Sequence, residues 1–421
     1  MSKQIERIAI FRALHLGDML LAVPALRSIR ASFPNAEITL IGLPWATSFT
    51  SRFSHYIDRF VQFVGYPGIA EVEVDAKRTQ HFLDEQRAYG YDLVIQMHGS
   101  GRTSNSFVLE LKGRMTAGYY DGSSRRYSRD DPCGRPMAGL MTFGMAGSTS
   151  GMPRSTSGIP QLTSNMPQLM SNIPQLTSNM SGSTSGMPQS TSDIPGLTFS
   201  MPYPDNWPEV LRNLGLAQLL GCDNISPTLE FPLFKEDHIE ATKLLRKLPR
   251  AHRPWIGMHV GSRSPARRWS SSYFAQVADY FASHHNAQII LTGSRDDSST
   301  VQEVTTRMAV QPLCLAGETS LGGLAALISK LDLFISNDTG PAHIANAVDT
   351  RSLTIFGPVD PQRWAALNQL RHPIVRKPVA CSPCGYWECP IDHRCLQWLR
   401  PEMVIEAAEK LLLRSEVVCN A

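Results

Sequence analysis

Residues 331–347 hold a short apolar run, Leu331-Asp332-Leu333-Phe334-Ile335, then the turn-forming Ser336-Asn337-Asp338-Thr339-Gly340-Pro341, then the small residues Ala342-His343-Ile344-Ala345-Asn346-Ala347. The first part reads as a buried parallel strand and the last as a helix. Asp338-Thr339-Gly340 then lies where a strand hands over to a helix N-terminus. Unpaired backbone N–H groups and the positive end of the helix dipole meet there, which suits a phosphate. Gly340 lets the backbone approach a ligand closely, and Pro341 fits a first helical turn. A plain helix cap, with Asp338 or Thr339 as N-cap, accounts for the same residues. The rest of the chain decides between the two.

The same handover recurs along the sequence. Ile8–Phe11 reads as a strand, followed by a helix from Asp18 to Phe33 in which Pro24 predicts a kink. Further strands are expected at Ala36–Gly42 and Tyr91–Met97. In the second half they are expected at Pro254–Val260, Ala287–Gly293, Leu331–Ser336 and Leu353–Gly357, with helices near Ser272–Phe281 and Leu324–Ser329. Alternating strands and helices make an α/β chain with parallel sheets, and two such units imply a cleft between them. Ligands in such sheets bind beyond the carboxyl ends of the strands.

Between the units, prolines recur at 153, 160, 167, 174, 188, 195 and 202, each preceded by Met or Ile, a period of seven in which Ser181 occupies the one missing place. A proline in every heptad removes helix hydrogen bonds, which excludes a coiled coil. The Ser/Thr/Pro/Gly/Gln composition predicts a disordered, low-complexity insert over about 122–205. The remainder divides into an N-terminal domain (1–235), a C-terminal domain (250–395) and a closing helix (396–421). The 421 residues carry a net charge of +3, too little for a nucleic-acid-coating protein. No signal peptide or run of about 18 apolar residues is visible, so the cytoplasm is the expected location.

Several clusters bear chemistry. Asp18, at the turn after the first strand, is either a helix N-cap or a carboxylate at the mouth of the cleft, where it can take a proton from an attacking hydroxyl. The helix N-terminus is expected to favour its ionised form. Arg263, Arg267 and Arg268 follow a strand of the second unit, and arginine forks match phosphate oxygens. Asp297 lies past another strand end, where an acid binds ribose hydroxyls or caps a helix. Phe356-Gly357-Pro358-Val359-Asp360-Pro361-Gln362-Arg363-Trp364 reads as a rigid turn near the cleft, of structural rather than catalytic purpose. Cys381, Cys384, Cys389 and Cys395, with His393, form a set suited either to tetrahedral zinc or to free structural thiols.

Gly17-Asp18-Met19-Leu20-Leu21 with Pro24 and Leu26-Arg27, then Asn337-Asp338-Thr339-Gly340-Pro341-Ala342-His343-Ile344-Ala345, then Phe356-Gly357-Pro358 with Asp360-Pro361 and Trp364, resemble glycosyltransferase family 9, the ADP-heptose:lipopolysaccharide heptosyltransferase family. The resemblance covers both halves in order and omits the heptad stretch. It implies a GT-B fold, two Rossmann-like domains facing across a cleft, and an inverting transfer that requires no metal. By resemblance Asp18 is the base. Arg267 stands where the family usually has a lysine touching the donor diphosphate, and Asp297 where an acid meets the nucleotide ribose. Asp338, Thr339, Gly340 and His343 match the diphosphate-binding segment. The implied donor is a nucleoside-diphosphate sugar, in particular an ADP-sugar. The implied acceptor is a lipid-linked glycan at the inner face of the cytoplasmic membrane, with no nucleic-acid partner.

Two other readings use the same fold: a nucleotide-sugar epimerase and a non-catalytic nucleotide-sugar-binding protein. No Asp-x-Asp triplet occurs, which disfavours a metal-chelating sugar-nucleotide site, and no Gly-x-Gly-x-x-Gly follows the first strand, which disfavours a dinucleotide enzyme. Asp338-Thr339-Gly340 is also the aspartic-protease tripeptide, but it occurs once and in an α/β setting.

Overall fold

A computed structural model describes residues 4–121, 196–248 and 254–419. The heptad stretch up to residue 195 lies outside the described residues. Twelve strands in these residues form two sheets of six. The first contains β1 (Arg7–Phe11), β2 (Glu37–Gly42), β3 (Arg59–Gln62), β4 (Leu93–Gln96), β5 (Met115–Tyr120) and β6 (Phe199–Pro202). The second contains β7 (Trp255–His259), β8 (Gln288–Thr292), β9 (Leu313–Cys314), β10 (Leu333–Asn337), β11 (Ser352–Phe356) and β12 (Ile374–Arg376). Every pairing is parallel.

The first sheet runs β3-β2-β1-β4-β5-β6 and the second β12-β11-β10-β7-β8-β9. Counted from its own first strand, each has the doubly wound order 3-2-1-4-5-6, so the order reverses between β1 and β4 and between β7 and β10. Parallel strands are covered on both faces and need unbroken apolar sequence. Ile8-Ala9-Ile10-Phe11 and Leu333-Phe334-Ile335 meet that demand, and all of these side chains are buried.

β6 falls on Phe199–Pro202, inside the stretch read from the sequence as insert, and pairs with Ala117–Tyr120. The last Met-Pro unit of the heptad series, Met201-Pro202, is therefore sheet. It occupies an edge strand, where a proline without an N–H is tolerated.

The expected kink near Pro24 is a full break. One helix spans Leu16–Leu20 and a second Val23–Ser32, with Pro24 in the first turn of the second. The halves are joined by packing. One apolar cluster runs from Ile8 and Leu40 through Ala241 and Leu244 to Ala325 and Phe334. Arg52 forks onto the Asp237 carboxylate at 2.5 and 3.0 Å, fixing the helix Ala46–Arg52 to the helix Lys235–Leu245. The final helix, Pro401–Cys419, packs on β10, β11 and the helix Ser271–His284.

Candidate functional site

A cleft of about 320 Å³ lies where the turn after β1 meets the turns after β7 and β10. Both switch points open into it, as the topology requires. Asp18, Arg267, Asp338, Thr339, Gly340 and His343 all line it, so six of the seven sequence-derived site residues outside the cysteine set converge. Asp297 does not line it. Its carboxylate accepts from the Ser294 N–H at 2.8 Å and hydroxyl at 2.6 Å, closing a capping box on the 3₁₀ turn Arg295–Asp297. The capping alternative describes what this side chain does here. A Cβ on Gly261 would meet the Asp297 carboxylate oxygens at 2.2 and 2.4 Å, so the bare backbone at 261 is what lets the acid sit there.

Asp18 is not an N-cap. The helix begins at Leu16 after His15, which leaves Asp18 in its first turn. Among the described residues nothing hydrogen-bonds its carboxylate. The buried Arg12 holds its backbone instead, donating from Nε and Nη2 to the Asp18 carbonyl at 3.1 and 2.8 Å. Arg12 also donates to Asn213 Oδ1 at 3.0 Å and pairs with Glu209 at 3.3 Å. Glu209 pairs in turn with Arg212 at 3.3 Å and, from the other half, with Arg363 at 3.0 Å.

Burial raises the Glu209 carboxyl, but Arg12, Arg363 and Arg212 outweigh it and hold the group below the usual carboxylate range. Asp18 goes the other way. Desolvation pushes its carboxyl up, Arg12 opposes this, and Glu209 adds to it. The expected stabilisation of ionised Asp18 by the helix N-terminus is thus overridden by burial, because removing water penalises the charged form more than a partial backbone charge repays. A carboxyl raised above its ordinary value holds a captured proton more readily.

On the opposite wall, Thr339 is the N-cap residue of the helix Gly340–Ala347, with no side-chain capping bond. Asp338 is buried and pairs with Arg267 Nη1 at 3.2 Å. Burial raises it to about 6, with Arg267 lowering and Asp18 raising it, so the two acids sense each other across the cleft. His343 is buried and driven down to about 4, first by burial and then by Arg267, so it is neutral at pH 7. Asn337 fixes the framework: its side chain accepts from the Trp269 N–H at 3.0 Å and donates to the Val260 carbonyl at 2.9 Å, tying the end of β10 to the loop after β7.

The two walls touch through glycine. A Cβ on Gly17 would lie 2.8 Å from His343 Cδ2 and 3.6 Å from the Gly340 Cα. Gly340 in turn faces Leu16, with a Cβ there at 3.1 Å from Leu16 Cδ2. The close approach assigned to Gly340 is therefore made to the opposite helix.

Reading the sequence missed Arg12, Glu209 and Arg363, as well as Tyr386 and Trp387, which line the cleft. The turn around Pro358 lies at the cleft. Pro358, Val359 and Trp364 line the cleft, while Gln362 donates to the Asn206 carbonyl of the other half at 2.9 Å.

The cysteine segment braces the arginine loop. The Trp387 carbonyl accepts from the Ser264 hydroxyl at 2.8 Å and the Ala266 N–H at 3.1 Å, and His393 Nε2 meets the Ala266 carbonyl at 2.6 Å. Burial, then the neighbouring Cys381, Cys384 and Cys389, push the Cys395 thiol up to about 11. Among the described residues no group of three or more His, Cys, Asp or Glu side chains is placed to hold a metal ion.

Comparison with known proteins bears on this geometry. The family model described as glycosyltransferase family 9 (heptosyltransferase) matches residues 186–394. Lipooligosaccharide heptosyltransferase 2 of Campylobacter jejuni is 31% identical over 166 residues, which cover 38% of this chain and 52% of that protein. The chain thus spans about half the length of the curated relatives it matches. The crystal structure of the glycosyl transferase family 9 from Veillonella parvula superposes with a TM-score of 0.67 at 20% identity, covering 98% of this chain and 99% of that one. The structure of Escherichia coli ADP-heptose lps heptosyltransferase II gives 0.62 at 18% identity, covering 98% and 100%. The fold is GT-B, as the resemblance implied.

Proposed function

Because residues 186–394 match the model of glycosyltransferase family 9 (heptosyltransferase), we propose that the chain transfers a sugar, with inversion, from a nucleoside-diphosphate donor to a hydroxyl of a cell-surface glycan precursor. The names of its relatives favour ADP-heptose as donor and a lipopolysaccharide core as acceptor. One observation carries the reading: the Asp18 carboxylate, without a hydrogen bond among the described residues, faces Arg267, Asp338 and the Gly340 helix across a single cleft.

In this reading the donor diphosphate lies against Arg267 and the N–H groups at Gly340. Asp18 takes the proton of the acceptor hydroxyl as its oxygen attacks the anomeric carbon. The new C–O bond forms on the face opposite the departing diphosphate, so configuration inverts. Negative charge grows on the phosphate oxygens, where fixed N–H groups and guanidinium forks lower the barrier. His343 serves as a neutral hydrogen-bonding wall. Arginine and backbone N–H groups perform the neutralisation, so the proposed transfer is metal-independent.

The acceptor half is taken as 1–235 and the donor half as 250–395, with Asp297 near the ribose once donor is bound. No helix among the described residues is long and apolar enough to cross a membrane. A lipid-linked acceptor would be met at the inner membrane face from the cytoplasm. By residue type Cys381, Cys384, Cys389 and Cys395 suit a structural zinc behind Arg267, although among the described residues their side chains are not gathered to hold one. One zinc per purified chain supports this, and none removes it.

The decisive experiment is a screen of ADP-, GDP- and UDP-sugars with wild-type protein and Asp18→Ala. Transfer from an ADP-sugar is expected, falling by about 10²–10⁴-fold in the variant while donor affinity holds. Near-normal turnover by Asp18→Ala would sink the base assignment. Donor consumption without any acceptor would point to an epimerase instead.

A further inference from the structure

A second cleft, of about 430 Å³, opens beside the first. The two share one loop: Arg267 lines the first and its neighbour Arg268 the second. The second is also lined by Arg400, Ser270, Ser272, His393 and Trp398, and no carboxylate is among its lining residues.

Its hydrogen-bonding capacity is largely unmet. Arg268 donates from Nε to the Ser262 carbonyl at 2.7 Å, and among the described residues its two Nη groups have no partner. Arg400 donates from Nη1 to the Tyr273 hydroxyl, leaving Nε and Nη2 likewise without a partner among those residues. Ser270 and Ser272 share one hydrogen bond of 2.8 Å between their hydroxyls, so one of the two protons is left to point elsewhere. Guanidinium groups gathered in a concave site without a counter-charge repel each other, and a bound anion relieves that repulsion. Planar guanidinium forks fit phosphate oxygens in particular. The half-exposed Trp398 indole adds an apolar wall, the surface on which an aromatic ring packs the C–H face of a sugar.

We propose that this cleft is a second ligand site, for a phosphate carried on a sugar: Arg268, Arg400 and the two serines take the phosphate, and Trp398 takes the ring. The volume lies within the range of small-molecule sites and exceeds what a bare phosphate fills. The same chemistry arises in a free sugar phosphate and in a phosphorylated sugar of an acceptor glycan. Only the second of these sources rests on the transferase reading.

The test is calorimetric titration of the full chain, saturated with ADP, with glucose 6-phosphate, inorganic phosphate and glucose. Glucose 6-phosphate is expected to bind saturably at one equivalent, inorganic phosphate more weakly, and glucose not at all. Arg400→Gln should weaken glucose 6-phosphate at least tenfold, Arg400→Lys by less, and neither should move ADP affinity more than twofold. Arg267→Gln, which alters only the first cleft, should keep the glucose 6-phosphate signal. Absence of saturable binding, or binding indifferent to both Arg400→Gln and Arg268→Gln, overturns the site. Failure of ADP to bind counts against the transferase reading alone.

A second arm identifies the source. Transfer is measured with a lipid-linked acceptor before and after phosphatase treatment. If the phosphate belongs to the acceptor, Arg400→Gln raises KM for the phosphorylated form only. If it belongs to a free ligand, KM for both forms is unchanged by Arg400→Gln while the calorimetric loss remains.

Discussion

The turn after β1 and the turn after β10 each stand at the switch point of a doubly wound sheet, yet they treat their carboxylates in opposite ways. Arg12 grips the backbone of Asp18 and leaves its side chain without a hydrogen bond among the described residues. Arg267 pairs directly with the Asp338 side chain at 3.2 Å. Both acids are raised by burial. The difference teaches how one topology serves two tasks. Under the proposed transfer, Asp18 exchanges a proton, and positioning it through its main chain leaves no side-chain partner to be broken. An acid that aims a cation is held through its carboxylate.

The largest expected effect tests whether the first turn is rigidly held. Glu209→Ala removes the buried acid that unites Arg12, Arg212 and Arg363. Stranding buried charge costs about 3–5 kcal/mol, to be read from denaturant midpoints. A loss below about 1 kcal/mol would mean that the carbonyl contacts of Arg12 suffice without this acid.

The next effect concerns the second turn. The folded Asp338 carboxyl titrates at about 6 against an ordinary value of 3.8. The folded state therefore holds the proton more tightly than the unfolded chain, so the contribution to stability is full below pH 4 and is lost as pH rises through 6. Asp338→Asn removes that dependence. Relative to wild type it should gain on the order of 3 kcal/mol between pH 4 and pH 8, and parallel Tm profiles across that range would refute the buried-acid account.

The smallest effect concerns the contact between the turns. Gly17→Ala places a Cβ 2.8 Å from His343 Cδ2. The shift this forces should cost about 1 kcal/mol and raise donor KM with kcat little changed. Unaltered donor KM would show that the walls can separate without consequence.

Much of the fold was legible in the sequence because central parallel strands must be unbroken apolar runs. β1, β2, β4, β7, β8, β10 and β11 announce themselves in that way. The strands that escaped notice are short or mixed, as in Arg59-Phe60-Val61-Gln62 and the two-residue β9. At the site, Asp18, Arg267 and the Asp338–His343 run were legible because strand-to-helix turns have local signatures. Arg12, Glu209 and Arg363 were not, since three single charges nearly 200 and then 150 positions apart carry no local pattern, and only the folded chain makes them a network. Asp297 shows the converse. Its position past a strand end was read correctly, but Ser294 and the bare backbone at Gly261 decide what its carboxylate does.

Where Gly17 meets His343 and Gly340, one side of the contact has no side chain at all. The spacing of the walls there is set by the His343 ring against the bare backbone at Gly17 and by the Leu16 side chain against that at Gly340. Trp364, Tyr386 and Trp387 line the same cleft outside that contact, so under the proposed transfer they can vary what enters without altering the gap between Asp18 and the Gly340 turn.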